Sequence, residues 1–322
     1  MQIIRSYNLR SVYIRLTNSI FLIALTSFVC YSNTMSLDDT SRVKVFILAG
    51  QSNAVGYNHF KEYNHGSDEL LHKIAKLDHV MFWPGSNSRL DLQGLWTKLQ
   101  LGASAISTDE TFKQSYGPEI GIGLTLSKAL PGDEIAIIKF ADGGTGIARS
   151  EDYNDYIPAL VGFDDKGVNW HPPTDGKPAG LLYKGLLDNI NNALLALKKM
   201  NKQYEICGFF WMQGEHEAGI SKKMASDYGS LLNNLRGAVR SDLNIKNLPF
   251  IVGEINTHTW IYGDIARSKQ RRACARDSYS ILIKTTDLPR GGKGGEAHFT
   301  SEGMIILGER FANGIIKFIS RY

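Results

Sequence analysis

The sequence predicts an α/β fold in which a mostly parallel, five-stranded sheet is covered by helices on both faces, a three-layer α/β/α sandwich. Two observations carry that reading. Five short apolar runs of strand composition recur along the chain, and a stretch with apolar residues at three- and four-residue spacing lies between each consecutive pair. Strands that alternate with helices are joined by crossovers, which build a parallel sheet buried on both faces. The length agrees, because 322 residues, 43% of them hydrophobic, suffice for a full core.

The chain opens on a basic segment with Arg5, Arg10 and Arg15, followed by the apolar run Ile20 to Cys30. Roughly ten apolar residues are too few to span a bilayer and suit the core of a signal peptide. Residues 1–34 are therefore expected to direct export to a secreted or periplasmic location. An uncleaved N-terminal anchor is the alternative, and no other contact with membrane is expected. Ser27-Phe28-Val29 is a poor context for lipid attachment at Cys30. The same three arginines supply most of the net charge, which is 36 − 32 = +4 for the whole chain. So mild a balance gives no electrostatic case for nucleic acid as a partner.

Ser36 to Arg42 reads as a short linker, and the first strand runs from about Val43 to Ala49. Residues 55–116 show no sustained periodicity beyond a short helix near Asp68 to Leu77. Clusters such as Trp83-Pro84-Gly85 mark loops, and so long an insertion is expected to wall a cleft. Gly117-Pro118-Glu119 opens a helix with proline at its first position, and Pro131-Gly132 stops it. The second strand is Glu134 to Phe140. A second polar insertion, residues 149–177, contains Tyr153, Tyr156, Trp170 and His171.

Leu182, Leu186, Ile190, Leu194 and Leu197 then mark a helix, and Glu205 to Met212 is the third strand. Met224, Tyr228, Leu231, Leu235 and Val239 mark the next helix, and Pro249 to Glu254 the fourth strand. A helix from Ile265 to Arg276, a strand from Ser280 to Thr286 and a helix from Glu302 to Ile319 complete the chain. Residues 40–322 read as a single domain carrying the two insertions. Besides Cys30 only Cys207 and Cys274 remain, too few for a disulfide framework, and Cys207 reads as a small core residue of its strand.

In such a sheet the residues just after each strand converge on one edge, where ligands bind. Four exits are loaded with polar residues: Gly50-Gln51-Ser52-Asn53, Asp142-Gly143-Gly144-Thr145, Gln213-Gly214-Glu215 and the Gly291 to His298 loop. Ser52 is a candidate nucleophile. A serine hydroxyl needs a base within hydrogen-bond reach, and His298, just before the last helix, is the candidate. Backbone N–H groups of Ser52 and of Gly143 or Gly144 could hold a developing oxyanion, with a side-chain amide from Gln213 or Asn53 as third donor. Gln51 and Thr145 complete the set of candidate substrate-binding residues.

The pattern Gly50-x-Ser52-x-Ala54 departs from the G-x-S-x-G elbow, and Ser52 follows the first strand, both against an α/β-hydrolase. A serine early and a histidine late resembles the SGNH hydrolases instead. More narrowly, Gly50-Gln51-Ser52-Asn53, Gly143-Gly144-Thr145, Trp211-Met212-Gln213-Gly214-Glu215 and His298-Phe299-Thr300 resemble the SASA family. That family comprises sialate O-acetylesterases and related carbohydrate acetylesterases, acetylxylan esterases among them. The resemblance covers about residues 43 to 316. It implies a flavodoxin-like fold and serine-dependent removal of O-acetyl groups from an acetylated carbohydrate, with no metal and no cofactor. By motif Ser52 is the nucleophile, His298 the base, and Gly144 (or Gly143) and Gln213 the oxyanion partners.

The acid is where the chain departs from the family. Many relatives place Asp three residues before the histidine, and that position here is Gly295. Glu296 is the nearest carboxylate; Glu215 is the other candidate, at a position some relatives are thought to use. Either could hold the imidazole tautomer if it reaches Nδ1, and a serine–histidine pair helped by a backbone carbonyl is the third possibility. His216 and Glu217 are expected to line the cleft or to be exposed; H-E-x-x-H is absent, and His216 beside Glu215 and Glu217 is a thin basis for a metal site. Trp83, Tyr153, Trp170 and Trp260 are candidate sugar platforms. A non-catalytic carbohydrate-binding protein, or a short-chain acyl esterase acting on lipids, are the rival functions.

Overall fold

In a computed structural model of the chain, Val43–Gly50 (β1) is the central strand of a seven-stranded sheet. The described residues are 42–57, 67–85, 92–103, 115–155, 168–174, 176–256, 259–291 and 296–319. The expected export segment, the linker as far as residue 41, Tyr156 and the glycines of residues 292–295 lie outside them. After β1 come the helices Ser52–Val55 (α1) and Ser67–Ala75 (α2), the strands Val80–Trp83 (β2) and Thr97–Lys98 (β3), the helix Glu119–Ala129 (α3) and the strand Ile135–Ala141 (β4). The second half runs Leu181–Lys199 (α4), Tyr204–Met212 (β5), Glu215–Ile220 (α5), Lys222–Asp242 (α6), Phe250–Gly253 (β6), Gly263–Ala275 (α7), Ser280–Ile283 (β7) and Ser301–Ile319 (α8).

The strands lie in the order β3-β2-β4-β1-β5-β6-β7, and every neighbouring pair is parallel except β2 with β3. The five expected strands are β1 and β4 to β7. The two additional ones fall in residues 55–116, which the sequence presents as loop. Four apolar residues and two polar ones carry no periodicity of their own. They become strands because Val80 to Trp83 pair with Ile135 to Ile138 of β4, and Met81 and Phe82 with Lys98 and Thr97. Pro118 is the cap of α3 and not its first residue.

Side chains of a strand alternate between the two faces, and β1 feeds both. Phe46 and Leu48 pack with Ile120 and Leu126 of α3 and with Leu307, Phe311 and Ile315 of α8. Val45, Ile47 and Ala49 pack on the other face with Leu186 and Ile190 of α4 and Leu232 and Leu235 of α6. Each of the larger of these side chains, fully buried, contributes about 1.5–3 kcal/mol. On the first face α3 and α8 meet backbone to backbone. A Cβ on Gly121 would lie 2.2 Å from the Ile305 carbonyl oxygen, and one on Gly308 2.2 Å from that of Pro118.

A buried ion pair joins three elements beneath the serine turn. Lys139 Nζ of β4 lies 2.8 Å from Glu119 Oε2 of α3 and donates to the Val55 carbonyl at the end of α1 (2.7 Å), while Glu119 Oε1 accepts the Gly117 N–H at 2.8 Å. Burial pulls the Lys139 pKa down and the Glu119 charge opposes it. Cys207 and Cys274 are free thiols, the first half-buried and not fully in the core as expected, and burial pushes both up to about 12. Among the described residues no helix is long and apolar enough to cross a membrane.

Candidate active site

Register brings the predicted motifs to one level. Gly50 pairs with Ala141 of β4 on one side and with Met212 of β5 on the other. Gln51-Ser52, Asp142-Gly143 and Gln213-Gly214 therefore leave the sheet together at its centre, where the chain passes from one half of the sheet to the other. Gly50 has φ +140°, and a Cβ there would lie 2.0 Å from the Met212 carbonyl oxygen, so only glycine lets β1 end this close to β5. Ser52 opens the single turn of α1, which Gly56 closes in the left-handed region by donating its N–H to the Ser52 carbonyl (2.8 Å). The Ser52 residue is 8% exposed.

Asn53 brings the histidine segment to this turn. Its Nδ2 donates to Glu215 Oε1 at 3.0 Å and to the Ala297 carbonyl at 3.1 Å, and its Oδ1 accepts the Phe299 N–H at 3.2 Å. The backbone on both sides of His298 is thus fastened to the residue after Ser52. The Gly291 N–H donates to the His298 carbonyl (3.2 Å) and the Thr300 N–H to that of Pro289 (3.0 Å), which close the loop on itself. Tyr57, the residue after Gly56, stacks its ring on His298 with centroids 5.2 Å apart.

The side-chain amides expected as oxyanion donors are engaged elsewhere. Both hydrogens of Asn53 Nδ2 are accounted for by its two acceptors. Gln213 is fully buried; its Nε2 faces Glu217 Oε2 (2.6 Å), the Thr145 carbonyl (3.0 Å) and Gln51 Oε1 (3.2 Å), and its Oε1 accepts from the Tyr228 hydroxyl (2.9 Å). Gln51 is buried and its Oε1 also accepts the His216 N–H at the start of α5 (3.2 Å). Thr145 Oγ1 donates to the Asp142 carbonyl (2.7 Å) and accepts from Trp170 Nε1 (2.8 Å). These four side chains build the site from behind. The backbone of Gly143 and Gly144 remains for an oxyanion, Gly144 in the left-handed region at φ +72°.

His216 and Glu217 neither line the cleft nor face solvent. His216 Nδ1 donates to the Gly144 carbonyl at 2.7 Å. Glu217, fully buried, accepts the N–H groups of Ile147 (2.5 Å) and Ala148 (3.1 Å), so α5 clamps the turn that follows Gly143-Gly144. A negative charge with these donors satisfies the loop's buried backbone. Spacing in the sequence does not mark Glu217, because Gln213 lies before the cap Gly214 and outside the helix that carries Glu217.

Of the two candidate acids, Glu215 is 1% exposed and Glu296 is exposed, its Oε1 lying 3.4 Å from where a Cβ of Gly291 would sit. Glu215 touches the histidine segment through Asn53. Its other oxygen, Oε2, is buried with no hydrogen-bond partner among the described residues. Burial raises the Glu215 pKa from 4.5 to about 7, with the Asn53 hydrogen bond opposing the shift. Trp83 and Trp170 are core residues and not sugar platforms: Trp83 is 3% exposed and donates to Asn189 Oδ1, and Trp170 is fully buried edge-on to Trp211. Tyr153 donates to Asp227 Oδ2 at 3.3 Å and Trp260 packs over Gly219, both partly exposed.

Residues 42–317 match the family model described as SASA: carbohydrate esterase, sialic acid-specific acetylesterase. No curated protein matches the chain. Among solved structures the chain is similar to a protein from Arabidopsis thaliana, 21% identical, with TM-score 0.61 over 86% of this chain and 98% of that one. It is similar to NanS at 16% identity, with TM-score 0.59 over 88% of this chain and 99% of that one. A carbohydrate acetylesterase from Xanthomonas citri is 16% identical, with TM-score 0.52 over 84% of this chain and 55% of that one. At these identities the likeness is one of fold.

Proposed function

The chain belongs to the SASA family of carbohydrate esterases, and from that premise we propose that it is a serine-dependent O-acetylesterase releasing acetate from an acetylated sugar. The observation that carries the mechanism is the Asn53 clamp, which fastens both neighbours of His298 to the serine turn. In this reading Ser52 Oγ attacks the acetyl carbonyl as His298 accepts its proton. The oxyanion meets backbone N–H groups of Ser52 and of Gly143 or Gly144, fixed before the substrate arrives. Collapse expels the sugar oxygen, which takes the proton from His298 and leaves an acetyl-serine. Water deprotonated by His298 then attacks the acetyl carbon, and acetate leaves with Ser52 restored.

Glu215 supports this machinery by holding Asn53, and through it the His298 backbone. The basic segment and apolar run of residues 1–34 support export, which suits an enzyme acting on polymeric or cell-surface glycans. Acetate release is to be measured on acetylated xylan and on O-acetylated sialic acid with the wild type and Ser52→Ala. We expect release from one of the two, and loss of on the order of 10³-fold or more in kcat in the variant with an unchanged melt. Near-normal hydrolysis by Ser52→Ala would sink the assignment. A serine-directed organophosphonate that fails to label Ser52 would turn the reading to a carbohydrate-binding protein.

A further inference from the structure

The left-handed Gly56 that ends the serine turn also decides where the next side chain goes. A Cβ on Gly56 would lie 2.2 Å from the Tyr116 carbonyl oxygen, so the reversal here requires glycine. It returns Tyr57 to the site. The Tyr57 ring lies on His298 at 5.2 Å with the two planes 27° apart. Its hydroxyl reaches the glycine turn, where a Cβ on Gly143 would meet the phenol oxygen at 2.7 Å. One side chain therefore spans the distance from the base to the oxyanion turn.

On the reading that Ser52 and His298 are nucleophile and base, we propose that Tyr57 is a positioning residue of His298. An imidazole turns about two side-chain bonds, and in relatives with D-x-x-H a carboxylate restrains it from its edge. Here position 295 is glycine. A ring against the imidazole face restrains the same rotation from the side. Offset stacking is a favoured arrangement of aromatic rings, and a tyrosine face also stabilises the imidazolium that forms in the transition state. Burial and the Asp142 charge raise the Tyr57 pKa, so the hydroxyl beside Gly143 stays protonated and adds no negative charge to the oxyanion turn.

The test compares Tyr57→Phe and Tyr57→Ala with the wild type and Ser52→Ala. It reads kcat and KM for acetate release, the rate of organophosphonate labelling at Ser52, and the thermal melt. Misplacing a reacting group by about 1 Å costs about 100-fold. Tyr57→Ala is accordingly expected to lower kcat and the labelling rate together by about 10- to 100-fold, with KM unchanged. Tyr57→Phe keeps the ring and is expected to stay close to the wild type in all readouts. If Tyr57→Ala melts below the assay temperature, Tyr57→Leu replaces it, with bulk but no aromatic face, and must show the same loss. Near-normal kcat in the Ala or Leu variant overturns the proposal, and so does a Phe variant as slow as Ala. Turnover by Ser52→Ala would instead strike the underlying reading, so the two failures are distinguishable.

Discussion

The amide of Asn53 meets three groups remote in sequence: Glu215, 162 residues on, the Ala297 carbonyl, 244 on, and the Phe299 N–H, 246 on. Each bond is worth about 1 kcal/mol net, and more when its loss strands a buried partner. Asn53→Ala would release the backbone on both sides of His298 and leave Glu215 without its donor. We expect kcat to fall by about 100-fold, with a loss of about 2–3 kcal/mol in denaturant stability. Wild-type turnover in a folded Asn53→Ala protein would remove the clamp from the mechanism. The Gly-Gln-Ser-Asn run was legible as a site, but the task of its asparagine was not. An amide can donate to a substrate or to a distant loop, and only the fold supplies the loop.

At the scale of elements, α1 is a single turn that could not persist alone, since a helix this short is costly to nucleate. Lys139 and Glu119 fix it from below by joining β4, α3 and the last carbonyl of α1. Removing one partner of a buried pair strands the other charge, at about 3–5 kcal/mol, whereas replacing both by apolar groups of similar volume is often neutral. Lys139→Met and Glu119→Leu are each expected to lower the urea midpoint steeply, and the two together to lower it by less than the sum of the single losses. Additive losses in the double variant would refute this account. The sequence gives no hint of the pair, because a lysine in Ile135-Ala136-Ile137-Ile138-Lys139 looks like a strand position open to water. β2 and β3 are illegible in the sequence for a similar reason: their ladder partners, not their composition, make them strands.

For the whole molecule, a carboxyl buried at the centre of the sheet edge should be readable in global stability. Burial raises Glu215 to about 7 against an ordinary 4.5, so between those limits the folded state binds more protons than the unfolded one. Stability must then fall as pH rises through that window. A displacement of this size corresponds to about 3 kcal/mol at full expression. Glu215→Gln keeps an oxygen for Asn53 and removes the titration. Its stability relative to the wild type is expected to rise between pH 4.5 and about 7 and then level off, measured as the urea midpoint at each pH. A wild-type-minus-variant difference that stays flat with pH would contradict the buried, proton-binding state of Glu215.

The sequence by itself determined the layered architecture, because strand and helix periodicities are local and five parallel strands admit few arrangements. It also marked Ser52, His298 and the Gly143-Gly144 turn, since chemistry follows strand ends. Only the tertiary structure decided what surrounds them. The register of Gly50 with Ala141 and Met212 sets the motifs level, and close packing then assigns each buried polar group a partner. That pairing made Gln51, Asn53, Thr145, Gln213 and Glu217 into scaffolding, sent Trp83 and Trp170 into the core, and laid Tyr57 on His298. The reason is physical: a side chain's type states which bonds it can make, and the fold alone states which partners come within 3 Å or so.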